Sequence, residues 1–280
     1  MNIIENQEFE GERPLFGKKD ISLVNIKVLN GESSIKECHN VECKNSTFNG
    51  KYPFWHVKKA RIENCQFDTG ARAAIWYSSD LYMKDCMIIA PKMFRKVDKL
   101  MLENVTFTDA QETLWDCSNI NLDNCKAVNG DYILMNSSNI HIFNFKLQGN
   151  YSFQYCKNIV IENSVLDSKD AFWESHNVTL INCEISGEYL GWHSTNLKLV
   201  NCKIKGTQPL CYAKNLELEN CTFDKDCDLC FEYSTVKATI TNEVTSIKNP
   251  ISGTITANKI GQIIIDENAK DPNNCQIHEG

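Results

Sequence analysis

NVTLINCEI at residues 177–185, NLKLVNCKI at 196–204 and NLELENCTF at 215–223 are three copies of one phrase. Each runs Asn, apolar, any, apolar, any, Asn, Cys, any, apolar. Upstream stand NINLDNCKA from Asn119, NIHIFNFKL from Asn139 and NIVIENSVL from Asn158. Looser copies begin at Asn40, Lys59, Asp80 and Lys99. The second Asn falls at 45, 64, 85 (an Asp), 104, 124, 144, 163, 182, 201 and 220, so the steps are 19 to 21 residues, a solenoid period. Inside a copy the apolar residues alternate, as in Ile120, Leu122, Cys125 and Ala127, which is strand spacing. No window keeps the 3.6-residue period of an amphipathic helix. A leucine-rich repeat has a similar length but needs a helical segment in every repeat, and the strands leave little room for one. The expected fold is therefore all-β: a single-stranded right-handed parallel β-helix of about ten to twelve coils, in which equivalent residues stack about 4.8 Å apart.

Asn accounts for 31 of 280 residues, and the repeat explains the excess. Asn tolerates left-handed backbone where one strand bends into the next, and its amide can pass hydrogen bonds from coil to coil. Six cysteines, 65, 86, 125, 183, 202 and 221, share one repeat position with Ser46, Val105, Phe145 and Ser164. That position reads as interior, with Cys serving as a small hydrophobe. A stacked thiol column does not present sulfurs tetrahedrally, and Cys227 with Cys230 form a lone C-x-x-C, so no metal is expected.

Five residues before the first Asn stand Ile35, Phe54, Ile75, Phe94, Leu114, Leu134, Phe153, Phe172, Gly191 and Leu210, a column that must be buried. Two residues before it stand small residues such as Cys38, Ser78, Cys117, Ser137 and Ser194. Two residues separate these inward columns instead of one, so alternation fails and a bend must turn both outward. The first outward position collects Trp55, Trp76, Arg95, Trp115, Trp173 and Trp192, which include all five tryptophans. The second collects His56, Tyr77, Asp116, Glu174 and His193.

A ridge of Trp beside His, Tyr and acids is unlike an ordinary solvated face. Three readings compete. An enzyme acting on a carbohydrate or uronic acid would use Glu174 and His193, on adjacent coils, as acid and base. A binding module would use Trp55, His56, Trp76, Tyr77, Arg95, Trp115, Asp116, Trp173 and Trp192 to hold an extended, saccharide-like ligand. A scaffold would cover the stripe with a partner or a second copy of the chain, making a homo-oligomer. No three acids fall on adjacent coils of one outward column, so no calcium or other cofactor is expected.

Composition bounds the partners. Hydrophobic residues make up 42% and charged residues 23%, enough for a core and too little charge for a disordered chain. The balance of 29 basic and 36 acidic residues, −7, argues against nucleic acid. No apolar run reaches membrane-span length, and MNIIENQEFEGERPLFGKK has no signal-peptide core, so a cytoplasmic setting with 14 reduced thiols is expected. The organisation expected is one domain, 1–280, with an N-terminal cap at 1–20, coils at 21–265 and a polar tail at 266–280.

GERPLF, YPFWH, RAAIWYS, PKMFR, ETLWDC, SKDAFW, GEYLGW and GTQPLCY together resemble a bacterial family of pectin-lyase-like β-helix proteins catalogued as a domain of unknown function. The resemblance runs from about residue 9 to 250. It implies the fold and a bacterial, cytoplasmic setting, and it brings no catalytic residues.

Overall fold

A computed structural model describes all 280 residues, which fall into two compact units, Met1–Ile140 and His141–Gly280. Both are parallel β-solenoids with almost no helix. In the first unit one sheet runs through Asn2–Glu5, Lys19–Val24, His39–Lys44, Lys58–Glu63, Ser79–Lys84, Asp98–Glu103 and Ser118–Asp123, each parallel to the next. A second sheet of short strands includes Thr47–Phe48, Gln66–Phe67, Met87–Ile88, Thr106–Phe107 and Lys126–Ala127. In the second unit Lys157–Glu162, His176–Ile181, Thr195–Val200 and Leu216–Phe223 repeat the long strand. The register places like over like: Cys43, Ile62, Met83, Leu102 and Leu122 stack in one column, and Ile161, Leu180, Leu199 and Leu218 in another. Every one of these side chains is buried.

The chain makes about 15 turns, more than the ten to twelve expected. The additional turns lie outside the run of copies from Asn40 to Phe223; those at the N-terminus keep the corner Asn, at Asn6 and Asn25, and those at the C-terminus lose it. Residues 1–20, expected as a cap, contain Asn2–Glu5 and Glu8–Glu12, which extend both sheets by a full turn. After Phe223 come the long strands Thr235–Lys248 and Ser252–Ile264, and the expected polar tail ends in a strand, Cys275–Glu279, paired with Gly253–Ala257. Alternation there is carried by Thr, Ile and Lys, so pairing persists without the corner residues.

Both Asn columns form ladders. Asn64 Nδ2 donates to Asn45 Oδ1 at 2.7 Å and Asn25 to Asn6 at 2.7 Å. In the second unit Asn201 donates to Asn182 at 3.1 Å and Asn182 to Asn163 at 3.2 Å, while Asn196 donates to Asn177 at 2.8 Å in the other column. Each of these Asn residues has φ between 49° and 56°, the left-handed region that Asn accepts more readily than other residues.

The third side of each turn, where alternation fails, is a run of turns and bends. Three residues in it take left-handed backbone in alternation, for example Tyr52, Phe54 and His56 at φ 57°, 57° and 53°. This is the bend the sequence requires: Pro53 and Phe54 point in, His56 points out, and Trp55 is half-buried between them. Left-handed backbone costs about 1–2 kcal/mol at a non-Gly residue. Full burial of Phe54, Phe94, Leu114, Phe153 or Phe172 offsets that, at about 1.5–3 kcal/mol each. Gly191, at φ +69°, holds the same place in its turn, and a Cβ there would meet Leu197 Cδ2 at 2.7 Å.

The small inward column has a role beyond size. Ser137 Oγ accepts from the Cys117 amide at 2.9 Å and donates to the Leu114 carbonyl at 2.7 Å, and Ser78 and Ser234 do the same one turn back from themselves. Cys117 Sγ donates to the Phe94 carbonyl at 3.4 Å in the same fashion. The column therefore satisfies backbone groups that the turns leave unpaired inside the core.

Candidate functional site

The left-handed turns decide how the aromatic stripe is displayed. Four indoles lie along the chain because each Nε1 donates to a backbone carbonyl of the following turn: Trp55 to Ala73 at 2.8 Å, Trp76 to Lys92 at 2.9 Å, Trp115 to Tyr132 at 2.6 Å and Trp192 to Gln208 at 2.7 Å. Their faces then meet along the stack. Trp55 and Trp76 are 5.6 Å apart and within 13° of parallel, and Trp173 and Trp192 are 5.8 Å apart at 30°. Arg95 sits between Trp76 and Trp115, its guanidinium 4.7 and 4.3 Å from the two ring centres, with Glu112 accepting from Nη2 at 2.8 Å. Lys36 Nζ lies 5.7 Å from the outer face of Trp55.

The consequence for recognition is direct. A sugar stacks on an aromatic face, and inside these ladders the faces are already filled by neighbours, leaving half-buried edges. Binding by stacking moves to the ends of the ladders and to the neighbouring column. There His56 stacks on Tyr77 at 5.1 Å and 12°, and His193 on Tyr212 at 4.8 Å and 18°.

Beside His193 the surface forms a depression of about 510 Å³ lined by His193, Thr195, Tyr212, Lys214, Asn215, Tyr233 and Lys270, among others. Tyr233 leans 52° away from Tyr212 at 5.5 Å, so the two rings open as a wedge. The tail builds one wall: Tyr233 Oη donates to the Asn268 carbonyl at 3.1 Å, and Lys270 Nζ lies 4.4 Å from the Tyr233 ring centre. Asn249 fixes that tail by donating to Asp266 at 2.8 Å and accepting from its amide at 3.1 Å. Lys214 is exposed and makes no ion pair. Burial and the Glu232 carboxylate push the Tyr212 phenol above its usual value.

Of the residues singled out from sequence, Glu174 and His193 lie on adjacent turns, joined by the Glu174 amide to the Trp192 carbonyl at 3.0 Å. Both side chains are exposed, and no hydrogen bond joins them; the His193 ring rests 5.2 Å from Trp173. Asp116 belongs to the first unit, where it accepts from Asn136 at 2.5 Å. Sequence reasoning passed over Tyr212, Lys214, Tyr233 and Lys270. The first two lie in or just beyond columns already visible, whereas the other two stand past the end of the Asn phrases. Asp170, which the sequence pairs with Glu174 four residues on without making it a site residue, is 8% exposed with no hydrogen bond to its carboxylate, and burial pushes its pKa upward. The C-x-x-C thiols are both buried and both bond to backbone, Cys227 to Ile204 at 3.2 Å and Cys230 to Cys227 at 3.4 Å, and burial pushes Cys227 up to about 12. No group of three His, Cys, Asp or Glu stands together in a way that could hold a metal ion. No helix is long and apolar enough to cross a membrane.

The strand register and the stacked columns define a parallel β-solenoid with one turn side given over to aromatic ladders. Within that class the chain belongs to the family described as "Protein of unknown function (DUF3737)", whose profile matches residues 2–278. No curated protein matches the sequence. Among solved structures the chain is similar to PfbA, a surface adhesin of Streptococcus pneumoniae, at 12% identity and a TM-score of 0.46, covering 94% of this chain and 73% of that one. It is also similar to the A-module of the mannuronan C-5 epimerase AlgE6 of Azotobacter vinelandii, at 12% identity and a TM-score of 0.36, covering 99% and 89%. The catalytic domain of a GH87 alpha-1,3-glucanase in complex with nigerose matches at 11% identity and a TM-score of 0.35, and the chain spans 63% of its length. At such identities and scores the fold assignment rests on this chain's own register.

Proposed function

We propose that the protein binds an anionic, uronic-acid-like saccharide in the depression beside His193. The observation that carries this is the chemistry of the lining: a wedge of Tyr212 and Tyr233 backed by His193, with two lysines, 214 and 270, beside it. Tyrosine rings take the apolar face of a sugar, Thr195 and Asn215 take hydroxyls, and the lysines take a carboxylate. His193 borders the ligand as a hydrogen-bonding group, Glu174 stands on the preceding turn outside the lining, and the reading is one of binding. The indoles of Trp173 and Trp192 support this site by stacking on each other, with contact limited to their edges, while Trp55, Trp76 and Trp115 belong to the first unit.

The test is titration of the full chain with tetragalacturonate and with an uncharged oligosaccharide of equal length. The acidic sugar is expected to bind, and Lys214→Glu or Tyr212→Ala to weaken it at least tenfold. Equal binding of both sugars, or no effect of either substitution, overturns the assignment. A second reading has its own support: Tyr77 and Tyr155, each 43% exposed on the turn face, suit contact with a second copy of the chain. It predicts a solution mass above one chain that Tyr77→Ala lowers.

A further inference from the structure

The four-ring cluster behind the proposed site occurs twice, once in each unit. Tyr52-Pro53-Phe54-Trp55-His56 and Tyr189-Leu190-Gly191-Trp192-His193 place Tyr, Trp and His at the same steps, and Tyr77 and Tyr212 follow one turn later in the His column. The geometry repeats as closely as the sequence. Tyr52 to Trp55 is 5.1 Å and Tyr189 to Trp192 is 5.0 Å. Trp55 to His56 is 6.2 Å at 73°, and Trp192 to His193 is 6.4 Å at 76°. The His–Tyr pairs are 5.1 Å at 12° and 4.8 Å at 18°. In both, the Trp Nε1 is tied to a carbonyl of the next turn. The motifs differ at two inner positions, Pro53 against Leu190 and Phe54 against Gly191; Phe54 and Gly191 share left-handed backbone at φ 57° and +69°, so the rings on either side are displayed alike.

Cations border both clusters, at different positions. In the first unit Lys96 Nζ lies 5.7 Å from the Tyr77 ring centre, and Lys58, exposed and without an ion pair, follows His56 by two residues. In the second unit Lys214 follows Tyr212 by two residues, and Lys270 lies over Tyr233. Thr195 stands where Lys58 would repeat and Ser79 where Lys214 would, so the positions differ, yet each cluster keeps exposed lysines without an ion pair beside its rings.

We infer that the His56–Tyr77 cluster is a second site for the same class of ligand, so that one chain binds two anionic saccharides. This rests on the reading given under Proposed function, from which it is separable by stoichiometry. Calorimetric titration of the full chain with tetragalacturonate is expected to give two ligands per chain. Tyr77→Ala and Lys96→Glu, the latter an exposed change that leaves the rings in place, should each reduce this to one. Tyr212→Ala should do the same by removing the other site. In parallel, the imidazole resonances of both His56 and His193 should shift on titration. A stoichiometry of one that Tyr212→Ala abolishes and Tyr77→Ala leaves alone overturns the second site and keeps the first. Absence of binding overturns both.

Discussion

Left-handed backbone at bulky residues is held in place here by what those residues bury. Ile75 at φ 59° is the clearest case, since a β-branched side chain resists that region most, yet it is fully buried. At the corners the same backbone is filled by Asn, which adds a hydrogen bond on each side. Asn182 donates to Asn163 and accepts from Asn201. Asn182→Ala loses two hydrogen bonds and sets a Cβ residue in left-handed backbone, at a combined cost of about 2–3 kcal/mol. Asn30→Ala, at an exposed position outside both ladders, should stay within about 0.5 kcal/mol. Chemical denaturation of the two variants side by side checks this; equal losses would show that the ladder adds nothing.

At the scale of one turn, Asp170 gives the face a pH dependence. Burial raises its pKa in the folded state, so the folded protein holds that proton more tightly than the unfolded chain. Its contribution is therefore most favourable below the unfolded value of about 3.9 and is lost as pH rises through the folded value. Asp170→Asn keeps a residue suited to φ 53° and removes the charge. The variant should match the parent near pH 3 and exceed it in stability near pH 7; a constant difference across that range would assign the effect to packing. The long and short strands were legible in the sequence because their side chains alternate and the Asn phrase fixes their register. The turn face was legible only as a failure of alternation. Phe, Leu and Ile do not announce left-handed backbone, and only stacking on neighbouring turns imposes it. The aromatic columns were read correctly as columns, but the direction of the indole faces depends on Nε1 bonds to carbonyls about 16 to 18 residues away. The depression escaped because Tyr233 and Lys270 come from a region with no repeat to align.

Over the whole molecule the net charge is −7, whereas the proposed sites are flanked by Lys58, Lys96, Lys214 and Lys270. An anionic ligand is repelled by the protein at long range and attracted at the margin of the site. Salt screens both, and at about 0.1 M the distant repulsion beyond about 10 Å is already weak. Affinity for tetragalacturonate should therefore fall when salt is raised above that level, because the remaining term is the local attraction; a rise would mean that the lysines do not meet the ligand. Solenoids transmit stability mainly between adjacent turns, so the same measurement on Asn182→Ala should leave the first-unit site untouched.

The pairing of Trp55 with Trp76 has a consequence of an optical kind. Two indoles held 5.6 Å apart with planes 13° from parallel have coupled transition dipoles, and where the twist between turns skews those dipoles the pair gives an exciton couplet in circular dichroism instead of two independent bands. The couplet belongs to the stack and to neither residue alone. It vanishes when two consecutive turns part, so this protein carries its own chromophoric gauge of whether those turns are wound together.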